Sequence, residues 1–116
     1  MKENESISIL DEDSFLLYRE CAVKGEKFGQ TLLQEYALKP IWDSTIMHAL
    51  CDYYGASIAF MKLLDGIEQT KYFDENIQQN TYALSGHDTQ ILMMCLSAVF
   101  ACEDDLKKMN VSIDIH

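Results

Sequence analysis

Residues 81–100, TYALSGHDTQILMMCLSAVF, ask for two kinds of backbone within one short stretch. Thr81 and Tyr82 are strand formers, and the run they open is short. Gly86 closes it. Beyond it Ile91, Leu92, Cys95, Leu96, Val99 and Phe100 recur at helical spacing and make one broad apolar face. A strand that turns directly into such a helix belongs to a layer of helix on sheet, so this part of the chain is α/β. Asp88 and Thr89 are the capping-type residues at the expected helix start.

The remainder divides into two long helical patterns and short connections. Residues 1–11 form a polar lead with one short strand at SISIL. From Asp11 to Lys39, Phe15, Leu16, Tyr18, Cys21 and Ala22 and then Phe28, Leu32, Leu33 and Tyr36 follow helical intervals. Gly25 between the two sets is expected to break or weaken the helix. Pro40, the chain's one proline, ends it. The segment from Trp42 to Thr70 is the most helical, with Asp43 or Ser44 as its cap. Gly55 inside it either permits close packing or divides it. KYFDENIQQN, residues 71–80, is polar and loop-like. After a helix over 89–103, DDLKKMN (104–110) is expected to be a turn, and VSIDI (111–115) alternates as a final strand. Two strands make a poor sheet. The expectation is one incomplete domain over residues 1–116, mostly helical, closing on strand–helix–strand, with its other strands supplied elsewhere.

Charge narrows the partners. Nine Lys and Arg against nineteen Asp and Glu give a net charge of −10. Nucleic acid and anionic membrane surfaces need clustered cations, so both are excluded as expected partners. No apolar run reaches the length of a membrane span. The four cysteines form no C-x-x-C pair, and the three histidines are scattered, so no zinc-site spacing appears. The cysteines read as buried thiols, and the acidity as solubility. The compartment is not legible.

His87 and Asp88 are the residues with chemical promise. They fall where the strand ends and the helix begins, the end of a sheet at which ligands bind in α/β folds. A helix N-terminus there offers free N–H groups to an anion such as phosphate. His87 can donate a hydrogen bond to that anion, and Asp88, if protonated, can give its proton to a leaving oxygen. The plainer account is that Asp88 caps the helix and His87 fills a polar gap.

The segment Tyr82, Ser85, Gly86, His87, Asp88, Thr89 and its apolar helix resembles the C-terminal catalytic motif of the histidine acid phosphatase family. The close resemblance covers about twenty residues, and a looser one, in helices before the motif and a strand after it, covers most of the chain. It implies a hydrolase of phosphate monoesters working through a phosphohistidine and no cofactor or metal. His87 would bind the phosphoryl oxygens and act with Asp88, the general acid for the leaving alcohol. The family's nucleophile lies in an Arg-His-Gly-x-Arg motif. This sequence holds none, and its one arginine, Arg19, stands in YREC. The chain therefore resembles the last third of such a domain, is expected to be inactive alone, and implies the missing N-terminal part as its partner. A reading from another class is a small acidic helical module that binds a protein through its apolar faces.

Other residues have plain readings. Met47, Met93 and Met94 are expected in packing. His48 is a structural or surface histidine, and His116 is terminal. Trp42 anchors a helix start. Asp52-Tyr53-Tyr54-Gly55 is helix surface plus core, and Glu103, Asp104 and Asp105 lie in a solvated turn.

Overall fold

The computed structural model describes residues 7–113. Its elements run β1 (Ile7–Asp11), α1 (Glu12–Ala37), α2 (Ser44–Glu68), β2 (Tyr72–Asp74), β3 (Gln79–Ser85) and α3 (Gly86–Lys108). The protein is mostly helical with a small sheet, compatible with the expected mixed α/β class, and the sheet is antiparallel throughout, in the order β1-β3-β2. The strand expected at SISIL is β1, shifted to end on Asp11.

Asp11 closes β1 and caps α1, its carboxylate accepting from the Ser14 N–H at 3.2 Å. The Ser14 side chain first, and then this backbone bond, hold its carboxyl below the usual range. Gly25 does not break α1, which runs unbroken for 26 residues. Gly25 and Gly29 lie on the buried face, one turn apart, and let α2 approach. A Cβ on Gly25 would collide with the Ser57 hydroxyl, and one on Gly29 would lie 2.9 Å from Tyr54 Cβ and 3.0 Å from its Cα. This use of small residues outweighs the helix propensity they cost. Gly55 does neither thing expected of it: α2 is continuous, and a Cβ there would meet nothing within 4 Å.

Residues 71–80 are not a loop. Tyr72–Asp74 pairs with Gln79–Thr81 as a hairpin. The polarity that suggested a loop belongs to its turn. Asp74 Oδ1 accepts from the Asn76 N–H at 2.9 Å, and Gln78, at φ 56°, donates its side-chain amide to the Glu75 carbonyl at 2.7 Å. β1 pairs along the other side of β3, Ile7 opposite Ser85 through Asp11 opposite Thr81. Among the described residues the sheet thus draws its three strands from this chain, which corrects the expectation that its other strands come from elsewhere.

The C-terminal expectations are also corrected. Residues 104–108 continue α3, because Leu106 is fully buried and Lys108 reaches Asp104 at 3.0 Å, one turn back. The helix ends where Asn110 takes a φ of 65° and the Val111 N–H donates to the Leu106 carbonyl at 2.9 Å, the six-to-one bond of a Schellman cap. The expected final strand is absent over Val111–Ile113; Val111 and Ile113 alternate because both side chains enter the core. The rest of it, 114–115, and His116 lie outside the described residues, as do residues 1–6.

The core is one cluster between the helices and the inner face of the sheet. Phe15, Leu50, Tyr53, Phe60, Leu64 and Val99 are at its centre. Tyr82 stacks on Phe15 with ring centroids 4.0 Å apart, which fixes α1 to β3.

Candidate functional site at the β3–α3 corner

Strand β3 lies between its two neighbours and runs without a loop into α3. Ser85 makes the corner. Its extended backbone (φ −70°, ψ 166°) ends the strand, and its hydroxyl accepts from the Asp88 N–H at 3.0 Å. Thr89 Oγ1 donates back to the Ser85 carbonyl at 2.9 Å. The helix therefore begins at Gly86, three residues before the expected start, and Ser85 is its cap rather than Asp88 or Thr89. The Ser-x-x-Asp spacing at 85–88 is the legible signal for this, half of a capping box.

His87 and Asp88 are thereby brought together in the first turn of α3, His87 exposed and Asp88 half-buried. Among the described residues neither side chain makes a hydrogen bond or an ion pair. A carboxylate in a first turn is favoured by the helix dipole. Chemically the corner offers an imidazole, a carboxyl group and a helix N-terminus at the end of the central strand.

The other titratable groups are committed elsewhere. Arg19 is held by Glu68 at 2.7 Å and Asp65 at 3.6 Å, between α1 and α2. His48 is exposed on α2. Glu103 is not in a solvated turn: it sits in α3 and accepts from the Tyr53 hydroxyl at 3.0 Å. Burial, then the Glu103 charge and that bond, push the Tyr53 hydroxyl far above the ordinary tyrosine range. No local pattern announces a pair fifty positions apart. Tyr82 is also raised, by burial and then by Glu12 and Glu68.

Of the cysteines, Cys95 is buried, Cys21 and Cys102 are half-buried and Cys51 is exposed; all are free thiols. Burial raises Cys21, Cys95 and Cys102. Met47 packs against the core, but Met93 and Met94 are exposed, contrary to expectation. Trp42 is half-exposed just ahead of α2. Among the described residues, no group of three or more His, Cys, Asp and Glu side chains could hold a metal ion, and no helix is long and apolar enough to cross a membrane.

No protein-family model, curated protein or solved structure matches the chain.

Proposed function

We propose that this chain is the His-Asp portion of a histidine acid phosphatase domain, which hydrolyses phosphate monoesters through a phosphohistidine. One observation carries the reading: Ser85 does the capping, so among the described residues the His87 and Asp88 side chains stand without a polar partner at the end of the central strand. In the complete domain His87 donates to the phosphoryl oxygens beside the free N–H groups of α3, and Asp88 protonates the leaving alcohol. The partner is the N-terminal part of the domain, carrying Arg-His-Gly-x-Arg, since the one arginine of this chain is engaged with Glu68 and Asp65. The chain alone is inactive.

The test is to sequence the coding region upstream of Met1 and express the whole reading frame. An in-frame Arg-His-Gly-x-Arg and p-nitrophenyl phosphate turnover that falls about 10²–10⁴-fold in Asp88→Ala are expected. A stop codon with no such motif, or undiminished turnover in the variant, sinks the proposal.

A second reading, an acidic interaction module, is favoured by exposed apolar side chains on β1, Ile7 and Ile9.

A further inference from the structure

We propose that the outer edge of β1 is an assembly edge, and that its occupant is a second copy of this chain, paired antiparallel about Ile9. The inference builds on the interaction-module reading and does not depend on the chemistry of His87 and Asp88.

Backbone direction decides which groups are free. The Ala83 N–H donates to Thr70 Oγ1 at 2.9 Å; the proton of that hydroxyl goes to the Ile67 carbonyl at 2.6 Å, and the Ala83 carbonyl lies 3.2 Å from the same oxygen. Thr70 lies just before β2, so Ala83 points its backbone groups to that side of β3. Ile9, opposite Ala83 on the other side, is therefore in a pair that exchanges no backbone bonds. Ile7, opposite Ser85, is in the same phase. The N–H and C=O groups of Ile7 and Ile9 consequently point out of the sheet.

Among the described residues this edge lacks the usual guards. Ile7–Leu10 carries no lysine, no proline and no other charge. The Ile7 and Ile9 side chains are 64% and 57% exposed. They project from the face opposite Tyr82 and Leu84, where Tyr72, opposite Thr81, joins them.

The strand is also complementary to itself. A two-fold axis at Ile9 sets Ile9 against its counterpart and Ile7 against Asp11 of the second copy. The only charges on the strand, the two Asp11 carboxylates, then stand four residues apart along the ribbon, on the order of 13 Å. That exceeds the screening length of about 8–10 Å in ordinary salt. The result is a closed, isologous six-stranded sheet.

The same register lays the exposed Ile9 side chain of one copy beside Ile9 of the other, so apolar groups that face water in the single chain cover each other.

Sedimentation velocity over a wide range of chain concentrations is the test. The expected result is a reversible equilibrium between 13.3 kDa and twice that mass. Because each copy carries a charge of −10, the dimer should tighten as salt rises from about 0.05 to about 0.5 M. Ile9→Lys should return the chain to monomer with unchanged far-ultraviolet circular dichroism and, at concentrations where the wild type is itself monomeric, an unchanged melting temperature. Ile41→Lys, at a residue 90% exposed between α1 and α2, should leave the dimer intact. Amide exchange at Ile9 should slow with wild-type concentration, which reports on the edge even if Ile9→Lys fails to fold. A monomer at every concentration, open-ended larger species, a dimer indifferent to Ile9→Lys, or Ile9 exchange independent of concentration would each overturn the proposal.

Discussion

The α1–α2 seam and the β3–α3 corner treat their distinctive residues in opposite ways. At the seam, Gly25 and Gly29 have no side chain because Ser57 and Tyr54 occupy the space one would need. At the corner, His87 and Asp88 have side chains that touch no polar partner, while Ser85 and Thr89 beside them close the turn. Residues whose contacts account for them stabilise the fold. Residues with no polar partner, which carry an imidazole and a carboxyl group at a strand end, are the ones the proposed chemistry would use. The contrast is physical and so can be broken.

The largest effect is expected at Gly29. Its added methyl would meet Tyr54 at the Cα, which no side-chain rotation relieves, so the two helices must part. Gly29→Ala should destabilise by about 1–3 kcal/mol, lowering the melting temperature by about 4–8 °C per kcal/mol. Gly55→Ala, with open space around the new methyl, should instead stabilise by about 0.5–1 kcal/mol. Equal shifts in the two thermal melts would remove the seam from the argument.

Next comes the seam's hydroxyl. Tyr53 is 1% exposed and donates to Glu103, and burial and that carboxylate together raise its pKa. Folding therefore favours the neutral phenol. Its contribution is fully present below the unfolded value of about 10 and is lost as pH rises from there toward the raised folded value. Denaturation followed between pH 8 and 11 should show stability falling above about pH 10, and Tyr53→Phe should flatten that fall. A slope unchanged in the variant would mean that Tyr53 ionises as freely in the fold as out of it. Tyr82 and the thiols of Cys21, Cys95 and Cys102, all raised in the same direction, contribute to the remaining slope, the thiols from about pH 8.5 upward.

The helices were legible because apolar spacing is local. Phe15, Ala22 and Phe28 on α1 and Leu50, Tyr53, Phe60 and Leu64 on α2 repeat at intervals that only a helix satisfies. What escaped is what depends on a distant residue. Gly25 reads as a breaker until Ser57 is seen against it. Val111 and Ile113 alternate as a strand would, yet they fill the core as irregular chain. The β2 strand was hidden because its hairpin lies at the sheet edge, where water tolerates Asp74, Glu75 and Asn76. The corner was half legible: the strand, the turn and the His-Asp position were readable, but competition between Ser85 and Asp88 for the cap is settled by which side chain faces the N–H groups.

That competition supplies the smallest and most discriminating prediction. Ser85→Ala removes the acceptor for the Asp88 N–H and should cost about 1 kcal/mol, the ordinary value of a cap. His87→Ala removes an exposed side chain with no polar partner and should change stability by less than about 0.5 kcal/mol. Asp88→Ala should lose only its interaction with the helix dipole, about 0.3–1 kcal/mol at low salt and less when salt is added. The salt dependence separates the two roles, since a side-chain cap would survive screening that a dipole contact does not. If urea denaturation ranks Ser85→Ala below His87→Ala, the fold does employ the histidine, and a structural account of the corner becomes sufficient. If the ranking holds, His87 contributes little to stability and Asp88 only its dipole contact, which leaves the pair open to the proposed chemistry.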